Sequence, residues 1–597
     1  MISGRTPAVK APHEKVDSPR SKIIKFKSRI PREEALMSDT RKRKFAGRAL
    51  ALALVMAAAV AAFASRPAAV TVNAAGVAWP DEFDACTSIQ VGRLATVDGS
   101  VITCHTCDGP YRQWVNIVPR QKWPEKSMNK IYSGRMHTEF TADLRGIVQT
   151  GEIPQVPETY RFLNTAYPAL NEHGLAIGET TIGGRRELVN NEGMFMIEEL
   201  ERVALERCKT AREAIRLVGE LVKQYGYGDF GECLTFADGK EVWHFEIMGA
   251  GPLEKGAVWA AVRIPDDHVG ISANIPRIAE IDLKDPDRYM ASENVFQVAQ
   301  DMGWWDPKGG KPFKWWEAYN GRKPFSTREY FVLSTLAPSL KLTMDMAELP
   351  FSVKPEKKLS VRDVLAIYRD PYEGTDLDQT KNLMVPRPQP RPKPGEAPAA
   401  PAAEPQLTKS PAASAWMSRD VLNLVNGLKP GTVVPQRTIP ISGCAYATVL
   451  QVRGWLPPAV GAVCWFAFDN PAMSARIPIF AGTTELPPGF EICAQHRFRL
   501  DSAAWAFRRA NRLATLKWGQ TRKIVEATVA EFEDKAFADL PLLEKKVQEI
   551  LAGKTPDKEP FTVEQYLTKY TNDTARAAVQ KYLELGDRFW MLIAMSL

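Results

Sequence analysis

The sequence predicts an α+β fold in which helices layer on antiparallel sheets. Three stretches carry that expectation. Near Cys86 two short β-prone runs flank Asp98-Gly99, a strong hairpin signal. Residues 232–274 read as a meander: Cys233 to Ala237, an Asp238-Gly239 turn, Val242 to Met248, Ala257 to Ile264, then His268 to Ala273. Between them, Glu192 to Tyr225 has helical spacing. Phe195, Ile197, Leu200, Val203 and Leu205 recur on one face, then Ala211, Ile215, Val218 and Val222, with a break near Lys209-Thr210. Strands in sequence, and helices with one apolar face each, fit layers of helix on sheet.

The chain has 597 residues, 45% hydrophobic and 25% charged, which is enough for a large globular core. The net charge of +7 is concentrated at one end. Residues 1–48 carry fourteen Lys/Arg against five Asp/Glu, a net of +9, so the chain from Cys86 onward is near neutral. A basic nucleic-acid surface is not indicated, and no nucleic-acid partner is expected.

Residues 49–64 are uncharged and almost all Ala, Leu, Val, Met and Phe, preceded by Arg41-Lys42-Arg43-Lys44 and Arg48. With the small-x-small Ala62-Phe63-Ala64, this is the layout of a secretory signal peptide. Export to a periplasmic or extracellular space is expected, with residues 65–85 as a short propeptide. The alternative is an uncut segment 49–64 serving as a membrane anchor, the one membrane contact foreseen.

The hairpin centres attention on Cys86. If its loop centres on Val97, Asp108 faces Cys86; if it centres on Asp98-Gly99, Tyr111 does. Either register brings a thiol and a carboxylate to one end of a hairpin. A cut between Ala85 and Cys86 would give Cys86 a free α-amine, whose pKa of about 7.7–8.0 suits a general base near neutral pH. Nucleophile and base would then sit on one residue, as in enzymes with an N-terminal threonine. Without the cut, Cys86 reads as a buried structural cysteine.

The run Cys86-Thr87-Ser88-Ile89-Gln90-Val91-Gly92, followed by Asp98-Gly99-Ser100 and Asp108, resembles the start of the N-terminal-nucleophile (Ntn) cysteine dipeptidases. These are relatives of penicillin V acylase, bile salt hydrolase and the secernins. The resemblance runs from Cys86 almost to the C-terminus and implies a four-layer α-β-β-α sandwich whose mature chain begins at Cys86. It implies further roles, residue by residue. Asp108 orients the Cys86 amine. Asn171-Glu172-His173-Gly174 leads into the strand ending Glu179-Thr180-Thr181, where a backbone N–H at Thr180 or Thr181 joins the oxyanion hole. By its chemistry rather than by the resemblance, Glu179 reads either as the carboxylate that binds the free amine of a dipeptide or as a solvated carboxylate at a strand end. Asn274, in Gly-Ile-Ser-Ala-Asn-Ile-Pro, donates to the oxyanion. Arg328, in Phe-Ser-Thr-Arg-Glu-Tyr-Phe, holds the nucleophile's surroundings or a substrate carboxylate. One departure stands out: many relatives carry Arg-Asn before the hairpin aspartate, where this chain has His105-Thr106-Cys107. His105 is expected to stand in for that arginine as a donor, which bears on the substrate rather than the nucleophile.

The eight cysteines are scattered, so no disulfide framework is expected. Cys104-x-x-Cys107 lacks the second pair a zinc site needs, and a disulfide between the two stays open. No cofactor or metal is expected. There is no HExxH, P-loop or GxSxG, which leaves zinc-peptidase, NTPase and serine-hydrolase readings unsupported. Residues 386–415, rich in Pro and Ala, read as an extended or disordered insertion between a core of 86–385 and a C-terminal part, 416–597, of the same domain. In that part, Thr438 to Arg453, Val463 to Phe468 and Ile477 to Phe480 read as strands, and Asp501 to Lys523, Ile524 to Leu551 and Ala575 to Ser596 as helices.

The expected function is hydrolysis of dipeptides by the Cys86 thiol, with small peptides as partners and oligomeric state, a homo-oligomer included, left open. Two alternatives stand beside it: an acylase acting on penicillin V or bile-salt amides, or an inactive, tethered envelope protein.

Overall fold

The computed structural model describes residues 85–140, 143, 145–251, 255–387, 406–493, 495–554 and 562–595. The basic extension, the signal-like segment, all but the last residue of the propeptide, and the centre of the Pro/Ala-rich insertion lie outside the described residues.

Two antiparallel sheets dominate. The seven-stranded sheet runs in the order Ser352–Val353, Val269–Ser272, Ala85–Val91, Val101–Asp108, Cys444–Val452, Ala462–Phe468, Ile477–Phe480. The eight-stranded sheet runs Tyr289–Ala291, Ala257–Arg263, Val242–Gly249, Glu232–Ala237, Ala176–Thr181, Leu170–Asn171, Phe162–Asn164, Asn116–Val118. The opening hairpin therefore lies at the centre of its sheet, flanked by strands from residues 269–272 and 444–452.

The two sheets meet where side chains are small or polar. A Cβ on Gly178 would lie 2.2 Å from the Cys104 carbonyl oxygen, so only glycine fits there. Hydroxyls fill the space beside it: Ser88 Oγ donates to Cys104 O at 2.5 Å and lies 2.9 Å from Thr235 Oγ1, itself 2.5 Å from Thr103 Oγ1. Unpaired buried hydroxyls would be costly, and these are paired with one another.

Helices cover the sheets with their apolar faces. Ile197–Arg207 and Ala211–Tyr225 bury Leu200, Val203, Ile215 and Val218 in one core with Phe236 and Phe245. Thr327–Leu336 and Val361–Ile367 bury Phe331, Val332 and Leu365 with Ile89, Ile102 and Cys104. Ala503–Leu516 and Val563–Ala594 bury Phe507 and Tyr582, whose rings stack 3.9 Å apart. Among the described residues no helix is long and apolar enough to cross a membrane.

Three local readings are corrected. The penultimate helices divide at Lys517 rather than near residue 523, giving Ala503–Leu516 and Trp518–Leu551. The last helix starts at Val563 rather than near Ala575, because Thr562 and Gln565 form a reciprocal capping box. The flanks of the Pro/Ala-rich segment are folded, with Met384–Pro386 pairing antiparallel with Leu407–Lys409. Residues on either side of that segment belong to one compact unit.

Candidate active site

The register of the hairpin is one residue away from the first of the two expected. Cys86 stands opposite Cys107, and Asp108 opposite Ala85. Strand alternation then decides which residues share a face. Cys86, Ser88 and Gln90 project towards the second sheet. Thr87 projects the other way, towards the helix Thr327–Leu336.

Two side chains clamp the main chain of Cys86. Its N–H donates to Asn274 Oδ1 at 3.1 Å, and its carbonyl accepts from Arg328 Nη1 at 2.6 Å. Arg328 also donates to Thr87 Oγ1 (2.9 Å), Ala273 O (3.0 Å) and Asn274 Oδ1 (2.7 Å). Local sequence explains its position: Glu329 accepts from both the N–H and the hydroxyl of Ser326, fixing the first helical turn on which Arg328 sits. Burial pulls the Arg328 pKa down to about 10, which leaves it charged at neutral pH. Asn274 adopts φ +67°, a left-handed conformation that asparagine tolerates better than most residues. Its Nδ2 donates to Thr181 O at 2.6 Å, so both ends of the amide are held and its orientation is fixed.

Asp108 is fully buried, with Oδ2 accepting from Arg437 Nη2 at 2.6 Å and from Thr106 Oγ1 at 3.1 Å. Its Oδ1 has no partner among the described residues. Arg437 was not legible beforehand: it lies 329 residues from Asp108, in a stretch with no motif.

On the thiol side lie Glu179 and His105. The ligating atoms of Cys86, His105 and Glu179 all fall within 4.8 Å of one another, and all three residues are buried. His105 Nδ1 accepts from the Glu179 N–H at 3.2 Å and sits 3.5 Å from Glu179 Oε2. Burial lowers the His105 pKa to about 3, so the imidazole is neutral at physiological pH. Its ring packs between Tyr446 and Tyr167, at 5.6 and 5.3 Å.

Glu179 is not a solvated strand-end carboxylate. It is fully buried and hydrogen-bonded to the carboxyl of Glu232, and burial raises its pKa to about 7. Burial and the nearby Glu179 charge push Glu232 well above the ordinary carboxylate range. The Thr180 and Ser272 hydroxyls are hydrogen-bonded to one another between the sheets. Thr181 contributes its carbonyl to Asn274 and its hydroxyl to Glu179 Oε1 at 3.5 Å.

Burial, followed by the charges of Glu179, Cys107 and Asp108, raises the Cys86 thiol well above its usual value. With its nitrogen in a peptide bond, Cys86 lacks an α-amine of its own, and its acidic surroundings oppose the thiolate.

The Cys104-x-x-Cys107 pair is neither a clamp nor a disulfide. Both lie in one strand, where residues three apart project to opposite faces. Cys104 joins the core with Ile89 and Val364, and Cys107 the core on the other side with Val101 and Tyr111. All eight cysteines are free.

Comparison with known proteins adds what geometry alone does not. The chain is similar to a probable dipeptidase of Latilactobacillus sakei, 24% identical over 76% of this chain and 90% of the relative. It is also similar to a probable dipeptidase of Salmonella dublin, 26% identical over 68% of this chain and 83% of the relative. A probable dipeptidase B of Lactococcus lactis is 29% identical over 49% of this chain and 62% of its own length. The model of peptidase family C69 matches residues 85–531, beginning one residue before Cys86 and ending within the helix Trp518–Leu551. The chain thus belongs to peptidase family C69, the Ntn cysteine dipeptidase family that its opening motif resembles.

Proposed function

We propose that this peptidase hydrolyses dipeptides with a free N-terminus, using Cys86 as an N-terminal nucleophile exposed by cleavage after Ala85. The observation that carries the reading is the clamp on the Cys86 main chain. Nitrogen and carbonyl of one cysteine, at the start of the family match, are held by Asn274 and Arg328. A structural cysteine in a sheet needs no such side-chain grip on its backbone. Two sheets in contact, each overlaid by helices, support the four-layer α-β-β-α Ntn arrangement.

In the mature chain the clamped nitrogen is the α-amine. Asn274 Oδ1 accepts a hydrogen bond from one of its N–H groups and turns the lone pair towards the thiol. Asp108 Oδ1, without a partner among the described residues, is the acceptor that the ammonium form gains. The amine removes the thiol proton, and the thiolate attacks the scissile carbonyl. One Nδ2 proton of Asn274 is engaged by Thr181 O; the other is available to the oxyanion. The leaving amine takes its proton from the Cys86 ammonium, and water then resolves the thioester with the same amine as base. Glu179 faces the substrate's ammonium group.

The test is a dipeptide panel with free and N-acetylated versions of each substrate. Turnover of the free forms, with acetylated forms inert and Cys86→Ala inactive, supports the reading. Preferential cleavage of acyl amides with no free amine would replace it with the acylase alternative.

A further inference from the structure

The register that separates Asp108 from Cys86 places a second thiol beside the nucleophile. Cys86 and Cys107 are directly opposed on adjacent antiparallel strands, and directly opposed residues share a face. Such pairs come in two kinds, and the hydrogen bonds decide which this is. The Cys86 N–H goes to Asn274 and its carbonyl to Arg328, both on the side of Val269–Ser272 and away from Cys107. The next residue, Thr87, turns its N–H the other way, to Thr106 Oγ1. Cys86 and Cys107 therefore form a non-hydrogen-bonded pair. In that kind the Cα atoms stand about 4.5 Å apart and the side chains are closest. The separation lies within the span of about 4.4–6.8 Å that a disulfide requires. Both cysteines are fully buried and free, and the Tyr446 hydroxyl lies against the Cys107 thiol.

We propose that Cys107 is the resolving cysteine of a reversible oxidation of Cys86, which would make the active site a peroxide-sensitive switch. The Cys86 sulfur attacks one oxygen of a hydroperoxide. The O–O bond breaks, Cys86 becomes a sulfenic acid, and the peroxide leaves as water or an alcohol. The Cys107 sulfur then attacks the Cys86 sulfur; the S–O bond breaks, an S–S bond forms, and the hydroxyl leaves as water with the Cys107 proton. Two thiols are oxidised and one peroxide is reduced. The disulfide removes the nucleophile and shields it from irreversible over-oxidation. A dithiol reductant reverses the step by thiol exchange.

Formation of the Cys86 thiolate, and the functional consequence, rest on the α-amine of the proposed mature chain; the pairing of the two thiols does not. The purified protein, as isolated from its host, is treated with hydrogen peroxide and mapped by peptide mass under non-reducing conditions. The expected product joins the Cys86 and Cys107 peptides and is lighter by two hydrogens. Dipeptidase activity should be lost with it and fully restored by dithiothreitol. In Cys107→Ala the same dose should leave Cys86 as sulfinic or sulfonic acid, with activity that dithiothreitol does not restore. A wild-type Cys86 that goes to sulfinic acid without a crosslink, or a Cys107 joined to Cys444 instead, overturns the proposal. The wild-type map decides the matter even if Cys107→Ala fails to fold. A crosslink in a protein that cuts no dipeptide would count against the hydrolase reading and leave the thiol pair standing.

Discussion

The Cys86 nitrogen and Arg328 Nη2 share one acceptor, Asn274 Oδ1, at 3.1 and 2.7 Å. A single side-chain oxygen thus ties the start of the opening strand to the first turn of the helix Thr327–Leu336. In the proposed mature chain this nitrogen is the free α-amine, and it is already held in the uncut chain.

On the proposed mechanism, Asn274→Ala removes both the acceptor of the amine and an oxyanion donor. A preorganised donor of this kind is worth on the order of 10²–10³ in kcat, and a fall of at least that size is expected. Steady-state kinetics with one dipeptide checks it; a change confined to KM would assign Asn274 to binding instead.

Arg328→Lys keeps a charge but loses the planar fork that reaches four acceptors. Each buried hydrogen bond from a charged donor contributes about 1.5–3 kcal/mol. The variant should lose at least one such increment in urea unfolding and should accumulate as uncut precursor. A fully matured, equally stable variant would contradict the assignment of Arg328 to the Cys86 main chain.

Gly178→Ala tests the meeting of the sheets. The added Cβ would lie 2.2 Å from a backbone oxygen, contact that no side-chain rotation relieves. Overpacking of this sort typically costs about 1–3 kcal/mol. The variant's denaturation midpoint should fall correspondingly, and an unchanged midpoint would mean the sheets separate more easily than their packing implies.

Glu179 gives a pH dependence of unusual sign. Burial raises its pKa from 4.5 to about 7, so between those values the folded chain holds a proton that the unfolded chain has released. Its contribution to stability is full below about pH 4.5 and declines as pH rises towards 7. Paired carboxylates elsewhere act in the opposite direction, so the informative quantity is wild type minus Glu179→Gln. That difference in unfolding free energy should shrink or turn negative from pH 4.5 to 7. A difference that grows with pH would mean the carboxyl is ionised and paired.

Cys86, His105 and Glu179 offer sulfur, nitrogen and oxygen within 4.8 Å, the donor types zinc prefers. A thiolate bound to zinc is withdrawn from nucleophilic attack. Added Zn²⁺ should therefore inhibit the mature enzyme, and a chelator should restore it. In Glu179→Gln the inhibition curve should move to higher zinc. Inhibition identical in the variant would place the metal elsewhere.

Much of this was legible in the residues. The meander, the two helices before it and the strands at 444–480 follow from periodicity, because each has one face that must be buried. Cys86, Asp108, Asn274 and Arg328 were singled out by motif, and the fold gathers them. What the chain hid was register and distance. A one-residue slip in the hairpin exchanges the neighbour of Cys86 from Asp108 to Cys107, and loop composition does not decide it. Arg437 and Glu232 meet their partners through tertiary contacts that no local pattern signals. The burial of Glu179 was equally hidden, since a strand-end carboxylate in sequence looks the same whether or not a second sheet covers it.

The central claim is that the nitrogen held by Asn274 becomes an α-amine. Intact mass and N-terminal sequencing of the protein purified from its own host test it directly. The expected mature chain begins at Cys86. A protein that cuts dipeptides while beginning at Ser65, or while still carrying Ala49 to Ala64, would contradict it, because Cys86 would then act without an amine of its own.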